Sequence, residues 1–338
     1  MTTYAAIVLA GGIAQRFQTK NQPWQDKALV EFEGKPLLIH VIQNLLPVTK
    51  EIVVSVNDTE RKAKYLQVLE SHGLNAKFVV DQKSNSISGP VVAIMSGLDA
   101  LSADYCLTVP VDMPFLKPQV ANFMLKAAEG FDLAVPMWPD GTTETLLMAL
   151  EQKSGLEITK TLFALNKSRA DSMFRAASTV LLISPLKEIT ALDPKFSSFI
   201  NINQKEDLTK LKTRNTEGSV KYNIALANEM HWSDLRRLRN GQKMLNENNI
   251  KEAQTIFAKC TESFEAQKNH FWAAISAEKL AQTTPNQTET EYSNQSLHRA
   301  AKNYQAEAKI YQEEGCRQLA TQALADKEWC ESKIKATT

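Results

Sequence analysis

The chain has 338 residues, of which 43% are hydrophobic and 23% charged, and its formal net charge is +1. This composition excludes collagen-like, fully disordered and disulfide-scaffold classes, and the near-neutral balance gives no footprint for non-specific binding to nucleic acid or to an anionic membrane. A single core usually stops growing by ~250–300 residues, so the length favours two domains or one domain with an appendage.

The apolar opening Tyr4–Ala10 is a strand's length, lacks a basic leader and runs into Gly11-Gly12, which marks neither a signal peptide nor a membrane span. Further strand-length apolar runs follow at Ile52–Val56, Phe78–Val80, Cys106–Val109, Leu133–Val135, Leu146–Ala149 and Val180–Ile183. They lack polar alternation, so they should be buried on both faces in a mostly parallel sheet flanked by helices, the α/β class. Between them, Pro36-Leu37 opens a helix through Leu46, Asp58 caps one running to His72-Gly73, and Pro90 opens one through Ala100. Functional loops are expected at the carboxyl ends of the strands. Phe199–Asn203 and a short helix at Lys205–Lys212 close this part, and polar Thr213–Gly218 reads as a linker.

Eleven of the twelve prolines and nine of the twelve glycines precede residue 195. From Tyr222 onward the pattern is read as helical throughout. Gly241, Leu245, Ala253, Phe257 and Ala258, with Asn248-Asn249 at a turn, have the spacing of a helix-turn-helix repeat. Ala301, Tyr304, Ala308, Tyr311 and Gly315, then Ala320 and Ala323, repeat the pairing of small with bulky residues, as in degenerate tetratricopeptide units. A plain helical bundle is the other reading. The expected domains are 1–213 and 214–338, and truncation after Lys212 is expected to leave a folded unit. The four cysteines form no CxxC pair, which suits a reducing compartment, and a cytoplasmic location is expected.

Four segments carry candidate chemistry. A glycine pair directly after a buried strand, in Leu9-Ala10-Gly11-Gly12, permits close backbone approach to phosphate oxygens, with Arg16 and Lys27 to neutralise charge; a plain tight turn is the alternative. The spacing is neither GxxxxGK[ST] nor GxGxxG. Asp112, between Pro110 and Pro114 at a strand end, suits a hard divalent cation held against phosphates, or merely caps a turn. Ser88-Gly89-Pro90 leads into a helix whose first amides are unpaired, and Asn201-Ile202-Asn203 offers alternating amides on one face. The five histidines form no cluster.

Taken together, LAGG (Leu9–Gly12) with Arg16, DKALVEFEGKPLLIHVI (Asp26–Ile42), SGPVVAI (Ser88–Ile94), PVDMPFL (Pro110–Leu116) and FININQKEDL (Phe199–Leu208) resemble the molybdenum cofactor guanylyltransferase family, a glycosyltransferase-A-like group of nucleotidyltransferases. The resemblance spans about residues 4 to 212 and leaves the helical tail outside. It implies a three-layer Rossmann-like nucleotidyltransferase domain, after which comes the all-α, tetratricopeptide-like domain read from the spacing. It also implies Mg²⁺-dependent transfer of GMP from GTP to the phosphate of molybdopterin, with release of pyrophosphate. By resemblance, Leu9, Ala10, Gly11 and Gly12 wrap the nucleotide, Arg16 and Lys27 stabilise phosphate charge, and Asp112 holds the metal. Asn57, Asp81, Gly89 and Pro90 fall at nucleotide-contacting positions. Asn201 falls on the metal side and Asn203 on the acceptor side. Phe17 and Ala93 stand where the family usually has glycine. The alternatives are a related enzyme using CTP or another phosphorylated acceptor, and an interaction protein carrying an inactive transferase domain. The helical tail is expected to dock a protein partner or to self-associate.

Overall fold

The computed structural model describes residues 1–338 apart from 13–16, 19–23, 83–86, 205–206, 208–215, 219, 285–289 and 335–338. Arg16, the expected helix at 205–212 apart from Asp207, and half of the expected linker therefore lie outside the described residues. In chain order the elements are β1 (Tyr4–Leu9), β2 (Glu31–Phe32), β3 (Lys35–Pro36), α1 (Leu37–Leu45), β4 (Glu51–Val56), α2 (Thr59–Ser71), β5 (Lys77–Val80), α3 (Pro90–Asp99), β6 (Tyr105–Pro110), α4 (Pro118–Ala127) and β7 (Leu133–Pro136). Then come β8 (Met148–Glu151), α5 (Gln152–Ala164), α6 (Asp171–Ala176), β9 (Thr179–Ile183), α7 (Thr190–Leu192), β10 (Ile224–Ala227), α8 (Trp232–Asn246), α9 (Ile250–Ala266), α10 (His270–Gln282), α11 (Thr290–Glu313) and α12 (Arg317–Lys333).

Strand β1 shows why the apolar runs lack alternation. Ala5 and Ile7 pack against α3 and α5 on one face, Ala6 and Val8 against α1, α2 and α4 on the other, and all four are fully buried. The main sheet runs β10-β9-β7-β8-β6-β1-β4-β5. β1, β4, β5 and β6 form one parallel block, and β7 and β9 pair in parallel, while β8 is antiparallel to β6 and β7. The sheet is thus mostly parallel, with helices on both faces, as the seven apolar runs implied. Asp58 caps α2 by accepting from the Arg61 amide at 2.8 Å, and Pro90 opens α3, also as expected.

The helical reading from Tyr222 onward is corrected at its start. Ile224–Ala227 is a strand, paired antiparallel with β9 at the sheet edge. Its Ala and Leu favour helix locally, but the open edge of β9 offers four residues of ladder, and that non-local pairing decides the outcome.

Beyond β10 the chain is a helical array in which α8 to α12 each pack on the next. Three of its turns are the same. Asn248, Lys268 and Gly315 take φ of +62°, +55° and +72°. In each case the next amide reaches back five residues, Asn249 to Met244 at 2.8 Å, Asn269 to Phe264 at 2.9 Å and Cys316 to Tyr311 at 2.7 Å. The small-against-bulky spacing also holds: a Cβ on Gly241 would lie 2.8 Å from Ile256 and Phe257 atoms, so only glycine lets α8 and α9 approach this closely. The four cysteines are buried and unpaired, and no helix among the described residues is long and apolar enough to cross a membrane.

The array does not have a separate core. Residues of α8 to α12 join α3, α5, α6, β7 and β9 in one continuous hydrophobic cluster. Polar ties cross the same junction. Arg239 on α8 donates to Glu157 and Thr161 on α5 at 2.9 Å each, and the Trp272 indole donates to the Ala176 carbonyl at 2.8 Å.

Candidate active site

The carboxyl ends of β1, β4, β5 and β6 open onto a cavity of about 790 Å³, within the range of small-molecule sites. Backbone bonds between the strand ends fix its rim. The Ala10 amide donates to Ser55 at 3.0 Å, Val111 to Leu9 at 3.2 Å and Asp81 to Val56 at 2.8 Å. Leu9, Ala10, Gly11, Gly12, Lys27, Asn57, Asp81, Gly89, Pro90, Asp112 and Asn203, distant in sequence, all line this one space. Asn201 does not, because only Asn203 of that extended segment faces Lys27. Arg16 is outside the described residues.

The glycine pair has a physical reason. A Cβ on Gly11 would fall 3.1 Å from the Asn57 amide nitrogen and 3.3 Å from Asp81 Oδ2, so a side chain there would crowd both neighbours. At Gly12 no atom of the described residues lies within 4 Å of such a Cβ, and close approach of a ligand to bare backbone is open on that side.

Lys27 begins a single helical turn capped by Asp26 and sends its ammonium to Asp112 Oδ2 at 2.6 Å and to Asn203 Oδ1 at 3.3 Å. Asp112 Oδ1 is buried with no partner among the described residues, as is Asn57 Oδ1. Leaving a buried acceptor unsatisfied costs ~1–3 kcal/mol, so two such atoms at one cavity mark a place built for something else to complete. The carboxylate oxygen suits a hard cation: magnesium is commonly held by one or two carboxylates plus substrate phosphates rather than by an all-protein cage. Among the described residues no group of three or more His, Cys, Asp or Glu is arranged to hold a metal ion.

Asp81 accepts from the Ser55 hydroxyl, yet burial pushes its carboxyl up to about 6, the hydrogen bond offsetting only part of the cost.

Two residues that no motif flagged, Arg61 and Tyr65, support the site through Asp26. Arg61 on α2 donates to the Gly12 carbonyl at 3.0 Å, lies 3.6 Å from Asp26 Oδ2 and stacks over Trp24 at 4.7 Å. Tyr65, one turn on, donates to both Asp26 oxygens at 2.8 and 2.9 Å. Burial and the Asp26 charge push the Tyr65 hydroxyl far above its ordinary range, so it remains a donor. The glycine turn and the Lys27 turn are therefore tied through Arg61, Asp26 and Tyr65.

Lys167 and Arg169, which do not line the cavity, are paired with Glu278 at 3.0 Å and with Asp171 at 2.9 Å.

Residues 6–180 match the family model for the MobA-like NTP transferase domain. The chain belongs to this family. A probable molybdenum cofactor guanylyltransferase of Methanosarcina acetivorans is 34% identical over 209 residues, 61% of this chain and 89% of that protein. The counterpart from Methanosarcina mazei is 31% identical over 208 residues, again 61% of this chain and 89% of the relative. Among solved structures, the molybdopterin-guanine dinucleotide biosynthesis protein A of Archaeoglobus fulgidus matches with a TM-score of 0.49 and 24% identity, over 61% of this chain and 95% of that one. Family membership makes the chain a nucleotidyltransferase, and the cavity just described is its candidate active site.

Proposed function

We propose that this nucleotidyltransferase transfers GMP from GTP to the phosphate of molybdopterin, with Mg²⁺, releasing pyrophosphate. The observation that carries this reading is the convergence of the glycine turn, Lys27, Asp112 and Asn203 on one cavity, with a buried Asp112 oxygen left unsatisfied. The names borne by the Methanosarcina relatives support the substrates.

The residues divide the work by charge. Asp26, Asp81 and Asp112 line the cavity together with Lys27, and this acidic lining favours a cation accompanying a triphosphate. Asp112 is the group to hold Mg²⁺, while Asn201, outside the cavity lining, is not; when bound, the ion neutralises phosphate charge as a Lewis acid. Lys27 faces the phosphates from the opposite side of Asp112, and the Gly11-Gly12 backbone lets them approach. The acceptor phosphate oxygen attacks the α-phosphorus, a new P–O bond forms, and the bond to the bridging oxygen breaks with its electron pair leaving on pyrophosphate. A phosphate nucleophile is already ionised near neutral pH, so positioning and electrostatics suffice without a general base. Asn203 lies toward the acceptor.

The test is pyrophosphate release from purified protein, Mg²⁺ and molybdopterin with GTP, CTP or ATP offered in turn. Turnover with GTP alone is expected. Turnover with CTP but not GTP would replace the guanylyl reading with a cytidylyl one, and none with any triphosphate would point to an interaction protein with an inactive transferase domain.

Asp81 favours the guanine reading, since an ionised carboxylate matches the paired N–H donors of a guanine edge, whereas cytosine offers a donor beside an acceptor. Only the ionised form accepts both. With its carboxyl raised to about 6, lowering the pH through 6 protonates Asp81 and should weaken GTP binding, while raising it toward 8 should not. Calorimetric titration at pH 5.5 and 7.5 should show a larger loss for the wild type than for Asp81→Asn. Equal slopes in the two proteins would remove Asp81 from base recognition.

A further inference from the structure

The Gly89 turn on the cavity wall is held from outside the sheet. Gly89 has φ of +131°, and a Cβ there would sit 3.2 Å from the Ser168 carbonyl oxygen. The Val91 amide donates to that same carbonyl at 3.4 Å, so Ser168 sits against the turn and the first amides of α3. Its neighbour Lys167 sends its ammonium to Glu278 on α10 at 3.0 Å. Glu278 is 4% exposed; its other oxygen accepts from the Tyr304 hydroxyl on α11, and Cys330 Sγ on α12 lies 4.0 Å away. Three helices of the tail thus meet at one carboxylate whose charge is spent on the chain segment that abuts the nucleotide-facing turn.

Charge explains why the placement depends on Glu278. Lys279, beside it, is largely buried and hydrogen-bonded to Gln282 at 3.4 Å. Burial and the nearby Lys167 charge push its ammonium down to about 8. Glu278 offsets the mutual repulsion of the two ammonium groups and holds Lys167 directly at 3.0 Å, so without it Lys167 has reason to swing toward solvent, carrying Ser168 from Gly89. The tail also reaches the opposite wall. Gln318 on α12 accepts from the Thr143 amide at 2.8 Å and its own amide donates to Gly141 at 3.1 Å, in the loop leading to cavity-lining Leu146.

We propose that Glu278 is a positioning residue for the nucleotide site, holding the Gly89–Val91 turn in place through Lys167 and Ser168, so that the helical array is a working part of the transferase. The proposal rests on the reading of the cavity as a guanine-nucleotide site.

The experiment compares full-length wild type, Glu278→Gln, Lys167→Gln and the double variant. It measures the Kd for Mg·GTP by calorimetry, kcat with molybdopterin, and hydrogen exchange at the Val91 amide. Expected for each single variant is a rise in Kd of about 5- to 10-fold with kcat kept within about twofold, and faster exchange at Val91. The double variant should bind no worse than the singles, because both cut one link. A purely structural role would lower the melting temperature without moving Kd or Val91 exchange, and that result overturns the proposal. Lys167→Gln decides the matter alone if Glu278→Gln does not fold, since Lys167 is partly exposed. If the wild type itself fails to bind Mg·GTP, the nucleotide reading falls and takes this inference with it; if the wild type binds and the variants bind equally well, this inference alone falls.

Discussion

Asp112→Asn is expected to reduce nucleotidyl transfer by about 10³-fold or more while leaving the melting temperature of the protein near the wild-type value. The substitution keeps shape and one oxygen but removes the charge on which two features of the cavity depend. Oδ2 carries the 2.6 Å pair with Lys27, and Oδ1 is the buried acceptor without a partner. The loss should not be rescued by raising Mg²⁺ to the solubility limit if the carboxylate is the protein's anchor for the ion, whereas a shift of the Mg²⁺ dependence to higher concentration with full recovery would make Asp112 a tuning residue only. Lys27→Ala is the complementary change. It removes one preorganised cation, for which ~3–4 kcal/mol of transition-state stabilisation is typical, and leaves the Asp112 pair open. Because the two side chains touch, their effects should be less than additive in the double variant. Unchanged turnover in Asp112→Asn would dismiss the residue from the chemistry and with it the cation site.

The parts of this protein that were legible in sequence are those fixed by local patterning. β1 is read from five apolar residues in a row because both faces of that strand are covered, and the glycine pair follows because Gly11 has Asn57 and Asp81 pressed against it. Asp112 stood out through its prolines at a strand end. What stayed hidden depends on partners far away in the chain. Arg61 lies in a charged stretch, Glu60-Arg61-Lys62, that looks like a solvated helix face, and only the fold brings Gly12 and Asp26 to it. β10 has helix-favouring residues and becomes a strand through β9, more than forty positions earlier in sequence. Glu278 sits in the middle of a helix, and its partner Lys167 is 111 residues away. Charged residues inside an apparently ordinary amphipathic helix carry no sign of whether they face water or a buried counter-charge.

The expected independence of residues 1–212 is the point at which the folded molecule argues most strongly for a different result. Truncation after Lys212 should yield protein that is insoluble or melts without cooperativity, because it strips β10 from the sheet edge and uncovers the apolar face of α5 and α6. It also orphans Arg175. That guanidinium, 3% exposed, makes a paired contact of 2.7 Å at each nitrogen with Glu307 on α11, reaches Asp326 on α12 at 2.5 Å, and lies between the rings of Phe271 and Tyr304. Burial opposes its charge, and the two carboxylates outweigh that opposition, so it stays ionised. Removing one member of such a group typically costs ~3–5 kcal/mol, because the partner left behind keeps its charge in a place closed to water. Glu307→Gln in the full chain should therefore lower the unfolding free energy by an amount in that range, read as a lower urea midpoint at an unchanged m-value. Replacing both members with apolar residues, Arg175→Met with Glu307→Leu, should recover most of the loss, since a well-packed apolar pair needs no compensation for desolvation. A soluble fragment 1–212 with a sharp melting transition would show that the α/β part keeps its core without the helices, and the buried Arg175 group would then be a clasp between two independent units rather than part of a shared interior.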